Sequence, residues 1–279
     1  MAASLSYSAQ EVRRYDRDRF GTALFAPLQY REALFSLYAF NAEVARVREL
    51  VSEPLLGRMR LQWWRDAIAG FYEGRGMAHP VAAPLAEAIA SRQLSREPFD
   101  RLLDTRETDM EDSGPADLDG LEAYAEGTSA TLNRLALEIL GVREEAAAKA
   151  AHHVGIAWAL TGLLRAVPFH ASMGRLYLPP ALLAEYGVAA QDLMAGRRPP
   201  GLPKVAEAVA TRARRHLADA RALRRRVPRA ALPALLAAAL AEGYLDALSH
   251  SGNDLMDTVW SMTHPRPLRL GWQFFRGMY

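Results

Sequence analysis

The chain has no cysteine among its 279 residues. That excludes disulfides, thiolate zinc sites, iron–sulfur clusters and thiol nucleophiles, and it is compatible with a reducing compartment. Missing too is any run of about 18 apolar residues that could cross a bilayer as a helix. Residues Met1 to Phe20 carry no apolar stretch behind their charges, so they do not read as a secretory signal. Nor do they read as a transit peptide, because Glu11, Asp16 and Asp18 are interspersed with Arg13, Arg14, Arg17 and Arg19. A strong excess of one charge is lacking as well: with a formal net charge of +2 and 24% charged residues, nucleic acid is not an expected partner. What is present is apolar surface, 50% of the residues, enough for a sizeable core.

Apolar residues recur at helical spacing nearly throughout, and alternating β-branched runs are scarce. The expected fold is therefore all-α, a single domain over residues 1–279 with a central cavity. A first long helix is predicted from near Pro27 to about Leu50, and a second from Pro54 through Trp63 and Trp64 to Gly74, with at least one tryptophan buried. Further helices are predicted at about 80–93, 97–109, 117–140 and 144–166, with Gly141 a stop and Pro168 closing the last. A small helix ends at Gly187, Arg197 to Pro203 reads as a linker without being a domain boundary, and two more helices cover about 203–226 and 230–249.

Two segments carry motifs. Leu37-Tyr38-Ala39-Phe40 leads into Asn41, Ala45, Arg46 and Glu49, and Gly155 leads through Ala157, Leu160, Thr161, Leu164 and Arg165 to Gly174, Arg175, Tyr177, Leu178 and Pro179. Here the chain resembles the squalene and phytoene synthases, whose frames read Leu-Tyr-Ala-Phe followed by D-D-x-x-D, and G-x-A-x-Q-L-T-N-I-L-R-D-V-x-E-D followed by G-R-x-Y-L-P. The resemblance implies an isoprenoid-synthase-like helical bundle in which acids on two facing helices hold Mg²⁺ against a leaving diphosphate. Mg²⁺ needs hard oxygen ligands, and carboxylates four apart on a helix supply them.

In this chain those acids are replaced. The first frame's aspartates fall on Ala45, Arg46 and Glu49, and the second frame's on Ala166, Phe169 and His170, while Ala159 and Gly162 stand at its Gln and Asn. Residues 146–184 contain no Asp or Glu at all, and Glu43 lies too far from Glu49 to share a helix face. The resemblance thus implies a pocket without its reaction. Tyr38, Asn41, Ala45, Arg46, Glu49, Arg165, Ala166, His170, Arg175 and Tyr177 are expected to line it, with no catalytic residue, metal or cofactor assigned. Arg165, Arg175 and Tyr177 either fix loop geometry or keep an anion-binding role.

The phrases Ala39 to Ala45, Val51 to Glu53, Met59 to Trp64, Leu137 to Gly141 and Leu164 to His170 also resemble a distinct branch of that family, the assembly factor of mitochondrial respiratory complex I, over about Tyr15 to Tyr279. This implies help in building NADH:ubiquinone oxidoreductase, with complex I subunits or assembly intermediates as partners. The place expected is the cytoplasm, peripheral at the inner face of the cell membrane, or the mitochondrion in a eukaryote. The Ala/Arg-rich composition fits a bacterial relative better. Two alternatives stay open. One is a working prenyl diphosphate-condensing transferase, which needs Mg²⁺ and ligands such as Glu43, Glu49, Asp109, Glu111 and Asp112. The other is a non-catalytic holder of a prenyl lipid or quinone.

Lesser signals are read both ways. His152 and His153 diverge by about 100° on a helix and make a poor metal pair. His170 either meets an anion or is an ordinary loop residue. The basic helix from Arg212 to Arg229 either faces anionic lipid or an acidic partner or is a solvated face, and Trp272, Phe274, Phe275 and Tyr279 either anchor at an interface or pack on the core.

Overall fold

The computed structural model describes residues 5–111, 113–262 and 267–279, and among them every regular element is a helix. Two short helices, α1 (Tyr7–Tyr15) and α2 (Arg17–Ala23), come first. Ser6 accepts a hydrogen bond from the Ala9 amide at 3.2 Å and Asp16 one from the Arg19 amide at 2.9 Å, so side chains cap both starts. Neither helix is legible in the hydrophobic periodicity, which needs more turns than these have. Then α3 (Leu28–Ala45) follows Pro27, and α4 (Pro54–Tyr72) carries Pro54 in its first turn, where the missing N–H is tolerated. Trp64 is buried edge-on against Phe40 at 4.9 Å, whereas Trp63 faces the surface.

After α5 (Ala82–Arg92) and α6 (Glu97–Glu107), the segment expected as one helix over 117–140 is divided. Its parts are α7 (Leu118–Ala125), a π-helical turn at Glu126–Ala130, and α8 (Thr131–Ile139). The Thr131 hydroxyl reaches the Glu126 carbonyl five residues back at 3.1 Å, and Thr128 bonds the Tyr124 carbonyl at 2.7 Å, which holds the wider turn open. Gly141, at φ +71°, supplies the left-handed stop before α9 (Glu145–Arg165). Pro168 does not close α9 directly; it sits in the first turn of α10 (Val167–Ser172).

The remainder comprises α11 (Pro180–Glu185), α12 (Ala190–Met194), α13 (Leu202–Ala222), α14 (Leu232–Leu235), α15 (Ala237–His250) and α16 (Pro267–Phe275). Helix α13 stops short of the expected 226, with Arg224–Arg226 forming a separate 3₁₀ turn. The expected 230–249 helix divides into a 3₁₀ turn at Arg229–Ala231, α14 with Pro233 in its first turn, and α15, which starts after Leu236.

Helix α9 is the axis. Its apolar and small residues are buried along most of its circumference, and it packs against α7, α8, α13 and α15. Contact with the π turn is closest at Gly155, where an added Cβ would stand 2.3 Å from the Ala130 Cα. One continuous apolar cluster runs from Ala9 to Tyr279 and includes residues on both sides of 197–203. No single helix among the described residues is long and apolar enough to cross a membrane; residues 229–235 and α15 reach that length only as a bent pair.

Candidate functional site

The end of α3 and the end of α9 form opposing walls of a cavity of about 270 Å³. From the first come Asn41 and Ala45, followed by Arg48 and Glu49 on the 3₁₀ turn Val47–Leu50, and from the second Trp158, Ala159, Gly162, Leu163 and the capping residue Ala166. The π turn presents Thr128 and Ser129 at its buried end, beside Arg19 and Tyr124. His170, Met173, Arg175 and Tyr177 close the other side together with Arg106. The expected central cavity is thus lined by seven of the expected residues: Asn41, Ala45, Glu49, Ala166, His170, Arg175 and Tyr177.

Three expected residues are elsewhere. Tyr38 is buried in the core with the Arg19 guanidinium 5.7 Å from its ring, and burial pushes its hydroxyl up to about 12. Because α3 ends at Ala45, Arg46 turns outward and lies 3.7 Å over the Tyr15 ring, 3.9 Å from Glu49. Arg165 points about a quarter turn away from Ala166 on the helix. There it stacks 3.7 Å over Tyr244, pairs with Asp18 at 3.2 Å and donates to the Ser261 carbonyl at 3.2 Å. Its role here is a tie between α2, α9, α15 and the chain after α15.

Charge in the cavity is mostly positive. Arg19 is paired with Asp16 at 3.1 Å and donates to Ser129 at 3.0 Å; Arg106 meets the Tyr124 hydroxyl at 2.6 Å and Asp109 at 3.3 Å. Arg48 donates to the Val51 carbonyl at 3.2 Å and Arg175 to the Asp109 carbonyl, yet neither has a carboxylate partner among the described residues. The Nε atoms of Arg48, Arg106 and Arg175 are buried without a hydrogen-bond partner. Against them the lining offers one carboxyl group, Glu49, whose pKa is raised, chiefly by burial.

The proposed substitute ligands do not converge. Asp109 is buried with its oxygens taken by Tyr124 (2.9 Å), Tyr177 (2.8 Å) and Arg106. Glu43 lies outside the cavity, where burial first and then Glu11 raise it to about 7. Glu111 is exposed on a neighbouring groove, and Asp112 lies outside the described residues. No group of three or more His, Asp or Glu suited to a metal occurs among the described residues. This donor set does not fit Mg²⁺: guanidinium groups and alanine methyls stand where hard anionic oxygens are needed.

Arg48 was not among the expected lining residues, although its spacing of three and seven from Ala45 and Asn41 offered a signal; it reaches the cavity from the 3₁₀ turn after α3. Arg19, Arg106, Tyr124 and Ser129 carried no such signal, because they reach the cavity from α2, α6, α7 and the π turn. His153, read with His152 as a poor metal pair, has a histidine partner from α13. The Nδ1 atoms of His153 and His216 lie 2.9 Å apart, and His216 meets Glu122 at 3.2 Å.

Fold and cavity define a helical protein of the isoprenoid-synthase type, and the profile of the squalene/phytoene synthase family matches residues 12–272, so the chain belongs to that family. Among its relatives, complex I assembly factor 6 of Bos taurus is 33% identical over 249 residues, covering 89% of this chain and 75% of that protein. The presqualene diphosphate synthase of Rhodopseudomonas palustris is 34% identical over 205 residues, covering 73% of this chain and 72% of its own. The crystal structure of squalene synthase HpnC from Alicyclobacillus acidocaldarius has the same fold, with a TM-score of 0.77 at 22% identity over 88% of this chain and 93% of that one.

Proposed function

We propose that this protein assists the assembly of NADH:ubiquinone oxidoreductase and does not condense prenyl diphosphates. The observation that carries this reading is the cavity wall itself. Ala45 and Ala166 occupy the opposed acidic positions, and Arg48, Arg106 and Arg175 supply cations where a metal-holding site needs carboxylates. The relatedness to assembly factor 6 along most of both chains supports it. Its partners are then complex I subunits or assembly intermediates, met at the inner face of the membrane in which that complex is built. No cofactor belongs to this reading.

A deletion strain tests it when assembled complex I and the terpenoid profile are measured together. Complex I is expected to fall while terpenoids stay normal; normal complex I with carotenoid or hopanoid missing would overturn the reading. Purified protein incubated with Mg²⁺ and farnesyl diphosphate is expected to show no turnover above a boiled control, and turnover would establish the transferase instead.

A second reading is favoured by one observation, the unpaired charges of Arg48 and Arg175 beside Trp158, Leu163 and Met173. That lining suits an anionic amphiphile such as a prenyl lipid held without chemistry. Native mass spectrometry of protein purified from its own host would reveal a lipid-sized adduct, and its absence would leave the cavity to water.

A further inference from the structure

Helix α16 turns Phe274 inward, where its ring lies 5.1 Å from that of Phe25. The opposite face presents Leu268, Trp272 and Phe275 to solvent, 88%, 58% and 72% exposed. These stand at i, i+4 and i+7, one side of a helix. Three large apolar side chains in two turns are costly in water and are what a helix lying in a lipid interface carries.

The face is held out from the body by hydrogen bonds at the end of the helix. Arg229 donates to the Phe275 carbonyl at 3.0 Å, and Arg224 to the Gly277 carbonyl at 3.0 Å. These arginines bring charge to the same place: Arg224, Arg229 and Arg276 are exposed, with exposed Arg225 next to Arg224 in the chain, and none forms an ion pair with a carboxylate among the described residues, whereas Arg226 acts on Glu145 at the start of α9. The Arg276 guanidinium lies 5.6 Å from the centre of the Trp272 indole, so cation and aromatic ring share one level. Another exposed apolar patch, Leu55, Met59 and Trp63 on α4, is set differently. Its neighbours Arg58 and Arg65 are engaged with Glu107 and Asp104, and Arg60 beside Met59 acts on Glu43, which leaves a surface of mixed sign.

We propose that α16 and the arginines around its end dock this protein on an anionic phospholipid surface, with Leu268, Trp272 and Phe275 entering the headgroup boundary and the arginines meeting phosphate. This rests on the membrane-side part of the function proposed above and assigns it to one element. The match is of charge and shape: a short apolar ridge is too small to span a bilayer but buries well at its surface, and the adjacent guanidinium groups supply the attraction that a single ridge lacks.

Flotation of the full chain with vesicles tests it. The protein should float with vesicles of phosphatidylcholine and phosphatidylglycerol in equal parts and stay behind with phosphatidylcholine alone. Trp272→Ser with Phe275→Ser should abolish flotation with an unchanged circular dichroism spectrum, since both side chains are exposed. Arg225→Gln or Arg276→Gln should each weaken it about fivefold, the effect of ~1 kcal/mol per basic residue near an anionic surface. Met59→Ser with Trp63→Ser should float like the parent. Failure of the parent to float, equal flotation with pure phosphatidylcholine, or loss of flotation in the α4 variant instead would each overturn the proposal. Protein that restores complex I in the deletion strain yet floats with no vesicle ends the docking proposal and leaves the assembly reading standing; protein that floats from a strain with normal complex I does the reverse.

Discussion

Tyr177 donates to the buried carboxyl group of Asp109 across 2.8 Å, while Arg175, two residues earlier, reaches the backbone carbonyl of the same aspartate. One loop thereby closes on both the side chain and the main chain of a single residue. The frame's Gly-Arg-x-Tyr-Leu-Pro phrase, Gly174 to Pro179, accordingly has a structural task in this protein.

Removing that acid should be costly. Asp109→Asn leaves the Arg106 guanidinium without its ion-pair partner and should destabilise the fold by about 3–5 kcal/mol, against about 1 kcal/mol for Tyr177→Phe. Urea unfolding of both single variants and the double variant should give a coupling of at least about 0.5 kcal/mol; strict additivity would show that the contact contributes nothing of its own.

Two glycines of α9 should respond in opposite ways. Gly155→Ala drives a methyl group into the Ala130 backbone at 2.3 Å, so α9 and the π turn must separate and the thermal midpoint should drop by several degrees or the protein fail to accumulate. Gly162→Ala meets nothing within 4 Å and should be neutral or stabilising, by up to about 1 kcal/mol of helix propensity. Equal losses at the two positions would contradict the packing described.

His170 should make the protein acid-sensitive. Burial lowers its pKa from 6.5 to about 4; Asp109 opposes the shift, and Arg175 and Arg106 add to it. The unfolded chain therefore takes up a proton at about 6.5 and the folded chain only near 4, so stability from this group is full above about 6.5 and is lost as pH falls towards about 4. Urea midpoints measured at about pH 7 and about pH 5 should differ less for His170→Phe than for the parent, and an unchanged difference would count against the buried neutral imidazole.

Restoring acids should restore a metal response. In the parent, neither Mg²⁺ nor a chelator should move the thermal midpoint, because no carboxylate pair faces the cavity from both walls. Ala45→Asp with Ala166→Asp introduces one on each, and Mg²⁺ should then raise the midpoint of the double variant. A parent midpoint lowered by chelator would mean that ligands come from another part of the chain.

Helical class and most helix positions were legible because α3, α4, α9, α13 and α15 are long enough for their buried faces to repeat. The short capped helices α1 and α2 were not, and the π turn at Glu126–Ala130 was not, since it depends on threonine hydroxyls and on the crossing at Gly155. Substitution of the acids was plain from the frame alone. The arrival of Arg19 and Arg106 was not, because charges brought together from distant segments leave no spacing to read. Asn41, Ala45 and Ala166 lie on the cavity walls, but spacing did not reveal that Arg46 and Arg165 turn away, as this depends on where α3 ends and on what α2 and α15 offer.

The tie made by Arg165 to Asp18, Tyr244 and the Ser261 carbonyl bears on how such chains are sorted. An arginine that holds four segments together has a structural reason to stand in the motif, whether or not the motif carries chemistry. A search that credits Arg165 together with Gly174, Arg175 and Tyr177 would place this chain among synthases, whereas one scored on the side chains at 45 and 166 would set it apart.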